Sequence, residues 1–135
     1  MKHAEILARI NETAIIPIVR TANAETAVQA VEAVGAGGIE CVEITMTVEN
    51  ALDALEAVAD RYGDRLLLGA GTVLDPETAR SCMLAGAQFF VAPSLNFKTI
   101  EMAKRYSKPI FPGALTPTEV LTAWEAGADG IKVFP

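Results

Sequence analysis

The sequence predicts an α/β fold built on a parallel sheet, and three observations carry that prediction. Short apolar runs alternate with segments of helical period. The runs are continuously apolar, as strands covered on both faces are. Helix-start and helix-stop residues separate them, with a repeat of roughly 20–25 residues that suits successive βα units. The resulting pattern is (βα)5β.

The first strand is expected over Ile15 to Arg20. Asn23 opens the helix that follows. Ala27, Val28, Val31 and Val34 share one of its faces, and Gly35-Ala36-Gly37 closes it. The second strand runs from Cys41 to Met46, and the next helix from about Glu49 to Tyr62 buries Leu52, Leu55, Val58 and Ala59. The third strand spans Leu66 to Thr72. Asp75 at the cap and Pro76 at the first helical position then start another helix. The fourth strand, Phe89 to Ala92, precedes a helix from about Asn96 to Tyr106. The fifth, Ile110 to Pro112, precedes a helix opened by Thr116-Pro117-Thr118-Glu119. The sixth is Ile131 to Phe134. The Ala-Gly pairs at 36–37, 85–86 and 126–127 precede the second, fourth and sixth strands, where a glycine ends a helix. No Pro-, Gly- or Ser-rich linker divides the chain, so residues 1–135 are expected to form one domain.

Of the 135 residues, 51% are apolar, enough for a real core. No apolar run approaches the ~20 residues of a membrane helix. The first residues, Met1-Lys2-His3-Ala4-Glu5, carry an acid with no apolar block behind it, which points to the cytoplasm. A net charge of −6 argues against nucleic acid and anionic membrane as partners, but leaves room for an anionic small substrate. Cys41, Cys82 and the single histidine, His3, have no zinc-site spacing. Both thiols are expected as reduced core residues. His3 is expected to face solvent on an N-terminal helix, and Trp124 to pack in the core or at an interface.

Two architectures satisfy this pattern: an open doubly wound sheet and a closed barrel with strands missing. The stretch after Arg20 is Thr21-Ala22-Asn23, without the glycines of a dinucleotide loop. Gly69-Ala70-Gly71-Thr72 lacks the third glycine, and small residues in a crowded interior account for it equally well. In either architecture, functional residues gather at the C-terminal ends of strands. Arg20, Glu43, Thr45, Thr72, Ser94 and Lys132 are the polar residues there. Alternation puts Cys41, Glu43 and Thr45 on one face of the second strand, and Lys132 opposite to Ile131 and Val133. With Val and Ile toward the helices, Glu43 and Lys132 point inward. A buried ion pair that fills space is one reading. The other is a desolvated lysine acting as a free-amine nucleophile, with a carboxylic acid to shuttle protons.

Ile16-Pro17-Ile18-Val19-Arg20, Val42-Glu43-Ile44-Thr45, Gly69-Ala70-Gly71-Thr72-Val73, Ala85-Gly86-Ala87-Gln88-Phe89, Pro112-Gly113 and Ile131-Lys132-Val133-Phe134-Pro135 occur in this order. Together they resemble the 2-dehydro-3-deoxy-6-phosphogluconate aldolase and 4-hydroxy-2-oxoglutarate aldolase family, over essentially the whole chain. The resemblance implies a (β/α)8 TIM barrel, here incomplete with six parallel strands. It implies a class I aldolase that needs no metal or organic cofactor, and a homotrimer at full length. Its substrates would be 2-keto acids that yield pyruvate. Lys132 would form the Schiff base and Glu43 would move protons. Thr72 and Pro93 would line the pyruvate end, and Arg20 would hold the carboxylate with help from Thr45 and Thr47. Thr47 stands where some members carry a second arginine. With strands seven and eight absent, little or no turnover is expected of a 135-residue chain. The aldolase for the galactonate epimer, and a non-catalytic barrel fragment serving as an assembly module, are the competing readings. A nucleotide-binding doubly wound domain is the more remote one.

Overall fold

Four of the helices begin at a short polar side chain that satisfies an otherwise free backbone N–H. In the computed structural model, which describes residues 1–135, Asn23 accepts from the Thr26 N–H (3.0 Å) and Asp75 from that of Thr78 (2.6 Å). Asn96 accepts from Thr99 (3.3 Å) and Thr116 from Glu119 (3.3 Å). The helices are α1 (His3–Thr13), α2 (Ala24–Ala36), α3 (Ala51–Tyr62), α4 (Pro76–Leu84), α5 (Phe97–Arg105) and α6 (Pro117–Glu125). The strands are β1 (Ile18–Val19), β2 (Cys41–Thr45), β3 (Leu67–Gly71), β4 (Phe89–Val91), β5 (Ile110–Phe111), β6 (Gly113–Ala114) and β7 (Lys132–Val133).

Every strand pair is parallel, in the order β1-β2-β3-β4-β5 and then β6-β7. The expected fifth strand does not end at Pro112; it resumes as β6. Pro112 has no N–H to give, which interrupts the ladder, yet its carbonyl still accepts from Lys132 N at 3.0 Å. Ile110 O accepts from Asp129 N (3.1 Å) and Ala114 O from Phe134 N (3.1 Å). Six strands therefore follow one another across the sheet in chain order. A doubly wound sheet reverses its order at a switch point; this one does not. It is an incomplete (β/α) barrel.

The apolar residues divide accordingly. Val42, Ile44, Leu68, Ala70 and Phe90 face outward into a layer shared with α2, α3, α4 and α5. Cys41, Leu67, Phe89 and Val91 face inward, where Ile6 of α1 closes the base. Arg9 fixes α1 there by donating to the carbonyls of Asp64 (2.7 Å) and Arg65 (3.0 Å). Gly69 has no side chain because the Phe89 ring occupies that space. Crowding, not nucleotide binding, accounts for the glycines of β3. Both thiols are buried; burial pushes Cys41 up to about 11 and Cys82 up to about 12.

Several local expectations need correcting. β1 is shorter than Ile15 to Arg20, because only Ile18 and Val19 pair with β2. The turn after α2 falls one residue late: Gly37 has φ −77°, and Gly38 takes the left-handed conformation at +86°. His3 faces solvent only in part; its Nε2 is buried and lies 2.8 Å from Asp129 Oδ1. Trp124 is not core. It is 62% exposed, because α6 buries Ala123 on its other side.

Candidate active site

Glu43 sits at the centre of β2, whose five residues are all buried. Its inward direction follows from the pleat, with Cys41 and Thr45 on the same face. Space for its carboxyl group comes from Gly71 on the neighbouring strand. A Cβ there would stand 2.5 Å from Glu43 Oε1 and 2.9 Å from Cδ. Burial raises the Glu43 pKa above the ordinary carboxylate value; the charges of Lys132 and then Arg20 pull it back in part.

Lys132 lies across the interior on β7. It lines a cavity of about 260 Å³ together with Glu43, Ile16, Ile18, Val91, Phe111 and Ile131. At about 30 Å³ per water molecule, this is space for several small-molecule atoms. Lys132 Nζ lies 4.8 Å from the centre of the Phe134 ring. Neither Lys132 nor Arg20 stands within the 4.0 Å of a direct ion pair with Glu43. The amine and the acid thus share a cavity without neutralising each other by contact. A space-filling ion pair is not what the geometry shows.

The other sequence candidates surround this pair but do not line the cavity. Arg20 is exposed just beyond β1, near enough for its charge to act on Glu43. Thr45 Oγ1 donates to Val19 O (3.3 Å) and lies 2.8 Å from Thr47 Oγ1, which ties the ends of β1 and β2 together. Thr72 follows β3 with φ +57°. That is an outlying conformation for a β-branched residue, and costs about 1–3 kcal/mol. Pro93 follows β4 with its carbonyl packed against Gly113, where a Cβ would collide with it. Ser94 is exposed beside it.

Sequence reasoning missed the apolar lining: Ile16, Ile18, Val91, Phe111 and Ile131. Ile131 is the informative miss, since alternation set it opposite to Lys132. Asp129, Lys132 and Phe134 donate to the carbonyls of Ile110, Pro112 and Ala114. Three residues on one chain therefore span two on the other, as in a β-bulge. The extra residue breaks alternation, and Ile131 and Lys132 both reach the cavity. Val133 is 73% exposed, because no segment of the 135 residues packs on it.

Gly71→Ala tests whether the carboxyl position matters. The new methyl must displace the Glu43 side chain, because the backbone of β3 is held by its neighbours on both sides. We expect a destabilisation of about 1–3 kcal/mol from overpacking, together with loss of any activity that depends on Glu43. Urea unfolding and activity measured on one preparation check both. An active, equally stable variant would show that the carboxyl has room to move.

The model of the family "Aldolase: KDPG and KHG aldolase" matches residues 6–135. The 2-dehydro-3-deoxy-6-phosphogalactonate aldolase of Escherichia coli (strain K12) is 38% identical over 121 residues, covering 90% of this chain and 59% of that protein. The 2-dehydro-3-deoxy-phosphogluconate aldolase of Treponema pallidum (strain Nichols) is 37% identical over 130 residues, covering 96% and 61%. The crystal structure of KDPG aldolase from Legionella pneumophila, with pyruvate captured at low pH as a covalent carbinolamine intermediate, superposes with a TM-score of 0.82. It is 31% identical, and the match covers 89% of this chain and 58% of that one. The chain thus spans about three fifths of the length of each of these relatives.

Proposed function

The chain belongs to the KDPG and KHG aldolase family, and from that premise we propose that it is the portion of a class I aldolase carrying both reacting side chains, Lys132 and Glu43. The observation behind this reading is their placement on one apolar-walled cavity without a direct ion pair.

Lys132 Nζ, in its free-amine form, attacks the C2 carbonyl carbon of a 2-keto acid. The carbinolamine loses water to give a protonated imine. Glu43 supplies the proton that lets the hydroxyl leave; its pKa, raised by burial, suits it to hold that proton. The imine is an electron sink. When a base takes the proton of the C4 hydroxyl, the C3–C4 bond breaks, an aldehyde departs, and the electron pair becomes a neutral enamine. Protonation at C3 and hydrolysis of the imine then release pyruvate and restore the amine. Arg20 binds the substrate carboxylate with the exposed Thr47 hydroxyl as a partner, and buried Thr45, whose O–H goes to Val19 O, holds Thr47 in place. Thr72 and Pro93, at the ends of β3 and β4 outside the cavity lining, shape the pyruvate end of the bound substrate.

The proposed reactions are cleavage of 2-keto-3-deoxy-6-phosphogluconate to pyruvate and glyceraldehyde 3-phosphate, and of 4-hydroxy-2-oxoglutarate to pyruvate and glyoxylate. The first would place the full-length protein in Entner–Doudoroff sugar metabolism. The 38% identity to a phosphogalactonate aldolase favours the galactonate epimer as a second reading; turnover on the two epimers decides between them. A cytoplasmic location, a homotrimer at full length, and a reaction that needs no metal or organic cofactor belong to the same proposal. No helix is long and apolar enough to cross a membrane.

Incubation of the chain with pyruvate and borohydride, followed by peptide mapping, tests the central step. We expect the reduced adduct on Lys132 and little on Lys98, Lys104 or Lys108. Folded protein that stays unlabelled at Lys132, or is labelled evenly over its lysines, would sink the reading.

A further inference from the structure

The geometry points to Asp129 as a positioning residue for Lys132: its carboxylate clamps the start of β7 to β5 and so fixes which side chain of the strand enters the cavity. The functional consequence rests on Lys132 being the reacting amine; the register itself does not.

β7 needs such a device. It has two residues, and only one of its edges is paired. Its ladder crosses Pro112, which offers no N–H, and it carries the extra residue between Asp129 and Lys132. A slip of one residue turns the whole strand over, exchanging inward and outward side chains. Here it would bring exposed Val133 toward the cavity and turn Lys132 away.

Asp129 opposes that slip from the far side of the extra residue. Its backbone N–H donates to Ile110 O (3.1 Å), and its Oδ2 accepts from the Ile110 N–H (3.0 Å), so one residue grips both polar groups of Ile110. The other oxygen, Oδ1, accepts from Lys104 Nζ of α5 (3.0 Å) and meets His3 Nε2 of α1 (2.8 Å). The Asp129 side chain is only 6% exposed. The next residue, Gly130, passes under the Phe111 ring, where a Cβ would come within 2.8 Å. The stretch that could absorb a slip is thus held at one end by Asp129 and at the other by Lys132 N on Pro112 O.

Two substitutions separate the clamp from the charge. Asp129→Asn keeps an oxygen for the Ile110 N–H but loses the negative charge that faces Lys104 and His3. Asp129→Glu keeps the charge but moves the carboxylate one methylene away from Ile110. Amide hydrogen exchange at Lys132 and Phe134 reads the β7 ladder, with Ile44 and Leu68 as internal references in β2 and β3. We expect Asp129→Glu to speed exchange at Lys132 and Phe134 at least tenfold and to leave the references alone, while Asp129→Asn stays within about threefold of the parent. Borohydride trapping with pyruvate should follow the same order: the maximal rate falls in Asp129→Glu, and Asp129→Asn restores it. If the parent chain does not trap pyruvate, the aldolase reading fails, while hydrogen exchange still judges the clamp. Unchanged protection in Asp129→Glu, faster exchange in Asp129→Asn than in Asp129→Glu, or loss spread equally over β2 and β3 would overturn the inference.

Discussion

Lys132→Arg is expected to abolish capture of pyruvate while leaving the fold in place. Arginine keeps a cation over the Phe134 ring, 4.8 Å from Nζ in the parent, so the local charge acting on Glu43 persists. What it lacks is an accessible neutral form: a guanidinium does not lose its proton in proteins, so no lone pair can attack a carbonyl carbon. Removing a covalent nucleophile has lowered kcat by on the order of 10⁶ in a well-studied hydrolase. Loss of the trapped adduct should likewise be complete to the limit of detection. Lys132 is partly exposed on a strand with one free edge, and such sites usually shift stability by no more than about 0.5 kcal/mol. Urea unfolding with trapping and peptide mapping checks both halves. An adduct of undiminished yield in the arginine variant would move the nucleophile to another residue and remove the basis for pairing Lys132 with Glu43.

Such a prediction could be framed from sequence because β2 obeys the simplest rule in the molecule. Its five residues alternate strictly, and paired register sets Cys41, Glu43 and Thr45 opposite Leu67, Gly69 and Gly71. Capping residues were equally legible, since Asn23, Asp75, Asn96 and Thr116 each act within three residues of themselves. What could not be read is whatever depends on a distant partner. The placement of Ile131 depends on a mismatch between residues 129–134 and 110–114, and neither segment shows it alone. Pro112 looked like the end of a strand, although its carbonyl carries the ladder onward. Ile6 is one apolar residue on a short helix until the inward residues of β2, β3 and β4 gather around it. His3 looked free because nothing near it in sequence answers the ring; Asp129 does, from the other end of the chain. Sequential strand order, which separates barrel from doubly wound sheet, is also a property of pairing and not of any one segment.

Glu43→Gln is expected to move stability and chemistry in opposite directions. Glu43 is 3% exposed, and burial outweighs the charges of Lys132 and Arg20 in setting its pKa, which lies above that of the unfolded chain. The folded state therefore holds this proton to higher pH than the unfolded state does. Its contribution favours folding fully below the unfolded value, about pH 4.3, and is lost as pH rises through the folded value. Above the unfolded value the parent bears a cost for burying this acid that glutamine, of nearly the same shape, does not have. The variant should consequently unfold at higher urea concentration than the parent at about pH 8, with the gap closing toward about pH 4. Glutamine cannot give or take the proton, so imine formation, read as the rate of pyruvate trapping, should slow by about 10²–10⁴-fold. A carboxyl kept only to fill the interior would give the reverse: lower stability at every pH and an unchanged rate of pyruvate trapping. Higher stability without the carboxyl, joined to slower trapping, would tie Glu43, beside a glycine that leaves room for it, to the proton it carries and not to the space it occupies.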